Sequence, residues 1–308
     1  MRGKLFQLAI AANIVVLVLN IYLAFRNSSS DTASQPYPYL SRRIFTEDPN
    51  DLIINFVPLR EKLREYLSPA GDKVSLYFEY LPSGVSVGVN DRQEIRLSSL
   101  AKVPTVMATL KQISKGALRD TDQLTIKAES RDPQFGSLWK KEAGEQVSVS
   151  EAMRLAIVES DNTAHNLLLA AIPVEEINKV YDSLDIPFRT ENGYPLISAK
   201  NYSSILRALY LSSYLDREDS NHVLEIMTQT IYRDKLPGQL PSDVLVAHKV
   251  GVFERQAPNT SAFSDCGIVY EPQRPFLICM MSEGSDDQAK QYMSGAAKLI
   301  YDYVSAYK

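Results

Sequence analysis

Residues 97–104, Leu97-Ser98-Ser99-Leu100-Ala101-Lys102-Val103-Pro104, read as the opening of a helix that carries a nucleophile. Leu100, Val103, Val106, Met107, Leu110 and Ile113 recur at helical spacing, so one face of a helix from about residue 99 to 114 is buried. Proline is tolerated well only in a helix's first turn. Pro104 therefore draws the start back toward Ser99 and leaves its hydroxyl near the positive end of the dipole. Ser99 and Lys102 stand three apart and share a face. An alcohol is a poor nucleophile at neutral pH, but an amine one turn away in a partly desolvated site has its pKa lowered and can accept the serine proton. Alone, the same pair also fits an N-cap serine followed by a solvated lysine.

Working outward, Ser160-Asp161-Asn162 interrupts a helical region about 60 residues further on, and Lys249-Val250-Gly251 follows a predicted strand over residues 244–248. Each of these alone reads as well as a helix break or a turn. The ordered set Ser99-x-x-Lys102, Ser160-Asp161-Asn162, Lys249-x-Gly251 resembles the three-motif signature of class A β-lactamases and penicillin-binding proteins. The resemblance covers roughly residues 50–308. It implies an α/β fold, an antiparallel sheet flanked by helices with an inserted all-helical domain, and a site in the cleft between the two.

The resemblance also implies the roles. Ser99 attacks a carbonyl carbon and becomes acylated, Lys102 takes its proton, and Ser160 relays a proton to the leaving nitrogen. Asn162 bonds the substrate amide or Lys102. Lys249 supplies positive charge near Ser160 and a substrate carboxylate. Gly251 lets backbone approach closely. The backbone N–H groups of Ser99 and Val252 would form the oxyanion pocket, such donors being commonly worth about 3 to 4 kcal/mol of barrier each. The implied partner is a small molecule, a β-lactam or a D-alanyl-D-alanine peptide of the cell wall, with no cofactor.

The sequence departs from the family pattern in two places. Val250 stands where the family usually has Thr or Ser, which removes a hydroxyl that would bind a substrate carboxylate. The Glu-x-x-Leu-Asn of class A β-lactamases, whose glutamate activates the deacylating water, is not found. In its place runs the shorter segment 188–195, with Glu191 as its only carboxylate. Glu191 is the candidate substitute, set against a turn glutamate facing solvent before Asn192-Gly193. Without that base, acylation is quick and hydrolysis slow, the profile of a penicillin-binding protein. A true β-lactamase with another base, and a non-hydrolysing domain that binds cell-wall peptide or drug, are the alternatives.

Residues 5–25 are an apolar run broken only by Gln7, Asn13 and Asn20, long enough to cross a bilayer core of about 30 Å. Arg2 and Lys4 precede it, and it ends in bulky residues rather than a small-x-small cleavage site. The expectation is a single-pass anchor over residues 1–26, with the amino end inside and the catalytic domain extracytoplasmic. Residues 27–50, rich in Ser, Asp, Pro and Tyr, read as an extended or disordered linker, and residues 51–308 as the catalytic domain.

Within that domain, an amphipathic helix over 57–67 precedes two strands, 74–81 and 85–89, turned by Pro82-Ser83-Gly84. Ser148-x-x-Glu151 fits a capping box ahead of a helix, and residues 166–171, 174–184 and 202–210 also read as helical. Strands return at 244–248, 264–270 and 276–281, before a closing helix with Ala289, Met293, Ala296, Ile300 and Val304 on one face. Both ends of the chain thus build one sheet-and-helix layer, with a helical block inserted at about residues 100–205.

The composition, 45% apolar and 23% charged with net charge −4, is that of a globular protein and offers no basic surface for nucleic acid. His165 and His222 lie in helical segments and read as satisfied boundary or surface histidines, His248 adjoins Lys249, and no metal-ligand spacing exists. Cys266 and Cys279 fall near each other across the predicted hairpin. They are expected to be buried thiols, since a cross-strand bridge is strained, although an outside location permits a disulfide.

Overall fold

Along the chain, α1 (Val57–Leu67) leads to the hairpin β1 (Val74–Tyr80) and β2 (Val85–Val89), then to β3 (Glu94–Arg96) and, through a 3-10 turn at Ser98–Ala101, into α2 (Lys102–Ser114). β4 (Gln123–Thr125), β5 (Gln146–Ser148), α3 (Val149–Val158), α4 (Asn162–Ala171) and α5 (Val174–Ser183) follow. β6 (Arg189–Glu191), β7 (Tyr194–Ser198), α6 (Ala199–Leu211) and α7 (Arg217–Thr228) return the chain to β8 (Leu245–Phe253), β9 (Ser261–Tyr270), β10 (Phe276–Gly284) and α8 (Asp286–Ser305). This computed structural model describes residues 39, 54–187, 189–255 and 261–306, all within a unit running from Tyr39 to Lys308.

β1, β2, β8, β9 and β10 make a five-stranded antiparallel sheet in the order β2-β1-β10-β9-β8. All seven residues of β1 are buried, so the sheet is covered on both faces at that strand. Val74, Leu76, Phe78 and Tyr80 point to one side and pack in a core with Leu59, Leu63 and Leu67 of α1 and Met293, Ala296, Ile300 and Val304 of α8. Each of the Val, Leu, Ile, Phe and Met side chains removed from water here contributes about 1.5–3 kcal/mol. Glu79 points to the other side and pairs with Arg207 of α6, while Tyr77 Oη donates to the same carboxylate at 2.9 Å. A buried carboxylate without that guanidinium would be a serious cost, so α6 is tied to the sheet by charge as well as by packing.

The helices α2, α3, α4 and α5 gather away from the sheet, and α7 packs on α2 and α3. α7 is the helical segment expected around His222, its limits not given by the sequence: its run Arg217-Glu218-Asp219-Ser220-Asn221-His222 is polar, and Ser220, Val223, Leu224, Ile226 and Met227 are buried. At Ser148 half of the expected capping box forms: its hydroxyl accepts from Glu151 N at 3.2 Å, while the Glu151 carboxylate turns to Arg154 at 2.7 Å. The strand predictions at 85–89, 264–270 and 276–281 fall inside β2, β9 and β10, and α1 has the predicted limits.

One expectation is corrected. Cys266 and Cys279 form a disulfide rather than two thiols, because the β9–β10 register sets them directly opposite each other. Within the expected linker Tyr39 is described: its N donates to Asn221 Oδ1 at 3.2 Å, and its carbonyl accepts from Tyr270 Oη at 3.0 Å. The expected membrane segment at residues 5–25 and the rest of the linker lie outside the described residues. Among the described residues no helix is long and apolar enough to cross a membrane.

Candidate active site

Ser99 sits in the 3-10 turn just before α2 rather than inside a regular helix, and Ser98 holds a left-handed φ of 50° to make the turn from Leu97. Non-glycine residues there cost of order 1–3 kcal/mol, so surrounding structure must hold the turn. It does so from both sides. Leu97 N donates to Pro195 O of β7 at 2.9 Å, and β8 lies against the turn at Gly251. A Cβ added to Gly251 would stand 3.3 Å from Leu100 Cγ and 3.4 Å from Ser98 Cβ, which is why glycine suits the strand at this point.

The second motif is built around Asp161. Its carboxylate caps α4 through Ala164 N at 2.8 Å and accepts from Ser137 N and Leu138 N at 2.7 Å each. Gly136, with φ 89°, leaves no space for a side chain between its backbone and that carboxylate. Asn162 N donates to Phe135 O at 3.2 Å, so the loop carrying Gln134 and Phe135 is fastened to the start of α4 and forms one wall of the cleft. Ser160 takes φ 55°, turning between α3 and α4 so that its side chain and carbonyl both face Lys102.

Lys102 is the hub. Its Nζ lies 2.8 Å from Ser99 Oγ, 2.7 Å from Ser160 O, 2.6 Å from Asn162 Oδ1 and 3.3 Å from Ser160 Oγ. Only 1% of the residue is exposed, and burial pushes its ammonium down to about 7, against the pull of Asp161 and Asp132. Near neutral pH it is therefore poised between ammonium and amine. As an amine it has two N–H donors and one lone pair. The Ser160 carbonyl and the Asn162 amide oxygen can only accept, so they take the two donors. The lone pair is left for the Ser99 hydroxyl.

Lys249 is fully buried and donates to Ser160 Oγ at 2.8 Å and Val250 O at 2.9 Å. Burial, then repulsion from Lys102, holds its pKa well below the ordinary lysine value, with Asp265 opposing. Ser160 Oγ thus stands between two amines. Asp265 is itself buried, accepting from His248 Nδ1 at 2.8 Å and Leu236 N at 3.0 Å.

The cleft encloses about 270 Å³ and is lined by Ser99, Lys102 and Asn162 together with Arg96, Phe135, His165, Tyr194, Val252 and Phe253, among others. Ser99, Lys102, Ser160, Asn162, Lys249, Gly251 and Val252, singled out from sequence, are thus brought to one place. Glu191 is not. It lies at the β6–β7 turn with its side chain 61% exposed, its carboxylate 3.4 Å from Arg96, outside the set of lining residues. Among the described lining residues there is no carboxylate.

Sequence reasoning missed His165, Arg96, Tyr194, Phe253 and Phe135. His165 is one helical turn beyond Asn162, and Thr105 one turn beyond Lys102, a spacing that signals a shared face. The two side chains meet, His165 Nε2 to Thr105 Oγ1 at 3.0 Å. Because the Thr105 hydroxyl donates to Ala101 O at 3.0 Å, the imidazole must carry its proton on Nε2. Burial and the two lysines hold its pKa down to about 3, so it is neutral. Arg96, Tyr194 and Phe253 carry no local signal, since strands β3, β7 and β8 converge only in the folded chain, and Phe135 lies in a loop placed by its bond to Asn162 N.

The β-lactamase enzyme family matches residues 58–304, well over half of the chain. A β-lactamase of Bacteroides uniformis is 25% identical over 237 residues, covering 69% of this chain and 80% of its own length. Among solved structures, a variant of PBP-A determined as an acyl-enzyme complex with penicillin G superposes with a TM-score of 0.73 at 22% identity, covering 81% of this chain and 97% of that one. The TLA-3 extended-spectrum β-lactamase superposes with a TM-score of 0.75 at 19% identity, covering 81% and 99%. At such identities the structures speak for the fold, and the match along residues 58–304 for descent: the chain belongs to the β-lactamase enzyme family and is a serine hydrolase of the β-lactamase type.

Proposed function

We propose that this protein opens β-lactams, or the D-alanyl-D-alanine end of cell-wall peptides, by acylating Ser99, and that it releases the acyl group slowly. The observation that carries the reading is the set of contacts around Lys102 Nζ, where two pure acceptors leave the amine lone pair for the Ser99 hydroxyl. Lys102 removes the proton as Ser99 Oγ attacks the carbonyl carbon. The oxyanion is stabilised by the backbone N–H groups of Ser99 and Val252, and the C–N bond breaks as Ser160 gives its proton to the nitrogen. Lys102, 3.3 Å from Ser160 Oγ, returns the proton it took, so the chain ends acylated with its acids and bases restored. Lys249 holds the Ser160 hydroxyl, and Val250 brings no hydroxyl for a substrate carboxylate. Slow release follows from a cleft whose described lining holds no carboxylate to activate water.

Residues 5–25 would anchor the chain in the membrane with this domain outside it, where such substrates are met. Rapid hydrolysis is the second reading, favoured by the relatives' being β-lactamases. Intact-mass spectrometry of the full chain with penicillin G, followed over time, separates the two. A lasting adduct that Ser99→Ala abolishes is the expected result. A transient adduct with steady loss of drug would establish rapid hydrolysis instead, and no adduct with no drug loss would overturn penicillin recognition.

A further inference from the structure

One end of the cleft holds a cation that the reaction at Ser99 does not use. Arg96 lies three residues before Ser99, lines the cleft, and has only 8% of its side chain exposed. Its guanidinium is stacked at 4.6 Å from the Tyr194 ring centroid and 4.9 Å from that of Phe253, two rings that themselves meet edge to face at 4.9 Å. Arg255 stands 5.7 Å from the same Phe253 ring. Two positive charges therefore converge on one aromatic pair.

The compensation that Arg96 receives among the described residues is thin. Arg96 donates one N–H to the Glu191 carbonyl at 2.9 Å, and its only acidic partner among the described residues is the exposed Glu191 carboxylate at 3.4 Å. Its Nε–H is buried and meets no acceptor among the described residues. A guanidinium has five donors in a planar fork suited to a carboxylate, and a desolvated cation so loosely paired favours any anion that reaches it. Glu191 can move into water at little cost because it is already mostly exposed, and so it acts as an exchangeable counterion.

The position in the cleft says which part of a substrate would arrive there. The leaving nitrogen must face Ser160, which is held by Lys249 at the middle of β8. The acyl portion then extends the other way along the strand, past Val252 to Phe253, four residues or about 13 Å from Lys249. Building on the Ser99 acylation proposed above, we propose that Arg96, with Tyr194 and Phe253, forms a subsite for a carboxylate on the acyl arm of the substrate. The preferred acyl donor is thus a peptide or β-lactam whose side chain, beyond the scissile carbonyl, carries a carboxylate.

The test compares acylation of the full chain by two penicillins that differ only in a carboxylate on the side chain, benzylpenicillin and its α-carboxy derivative, read as the second-order rate of Ser99 adduct formation. The carboxylated compound is expected to acylate about tenfold faster, a charge-assisted hydrogen bond being large enough for that ratio. The ratio falls toward one in Arg96→Gln, with folding checked by circular dichroism. It rises in Glu191→Gln, which removes the competing anion and does not disturb the buried side of the cluster. A ratio near one in the unsubstituted protein, or a ratio unchanged in both variants, would overturn the subsite. Absence of an adduct with either penicillin would instead overturn the Ser99 reading on which the subsite rests.

Discussion

At the scale of single residues, the site turns on where Lys102 keeps its proton. Burial lowers its pKa to about 7, against the pull of Asp161 and Asp132, and only the amine can take the proton of Ser99. The acid form dominates below that value and is inert as a base, so acylation must rise with pH and level off above it. Stopped-flow acylation by a penicillin is expected to be about tenfold slower at pH 6 than at pH 8. A flat profile across that range would remove Lys102 as the base. The pair Ser99 and Lys102 was legible in the sequence because helical geometry alone puts residues three apart on one face. The third and fourth partners, Ser160 O and Asn162 Oδ1, lie about 60 residues away, and only their motif pointed to them.

At the scale of elements, the sheet rests on strand register. β9 and β10 pair from Ser261 opposite Gly284 to Val269 opposite Phe276, and that register places Cys266 against Cys279 while Lys249 of β8 lies across from Cys266. The disulfide closes a loop of 13 residues between two strands of the site-bearing sheet. Loops of that size stabilise by about 3 kcal/mol in the chain-entropy account. The double variant Cys266→Ala/Cys279→Ala is expected to lose about that much in urea unfolding under oxidising conditions. An unchanged midpoint would show that pairing of the strands alone carries the hairpin. Reading the two cysteines as thiols from sequence failed for a definable reason: a shift of one residue in register moves a side chain to the other face, and sequence patterning located the strands without fixing which residues oppose each other.

At the scale of the whole molecule, the cleft exists because the β3–α2 junction, the start of α4, the β6–β7 hairpin and β8 meet at one place. That meeting brings two amines and a neutral imidazole to Ser99 and leaves Glu191 on the surface, paired with Arg96. If no carboxylate activates the deacylating water, the acyl-enzyme should persist about 10² to 10⁴ times longer than with a positioned base, and Glu191→Gln should change its decay by less than about twofold. Decay of the adduct mass after removal of free penicillin measures both. A large slowing in Glu191→Gln would return that residue to the catalytic set.

The sequence by itself determined the order of helices and strands in the sheet layer, the nucleophile and its lysine, and the three motifs that mark the family, because periodicity and short spacing are local properties of a chain. The tertiary structure alone decided the disulfide, the limits of α7, the neutral His165 on Thr105, the exposed position of Glu191, and the cluster of Arg96 with Tyr194 and Phe253. Each of these depends on which segments distant in sequence are brought into contact and shut away from water, and both register and desolvation are properties of the packed molecule.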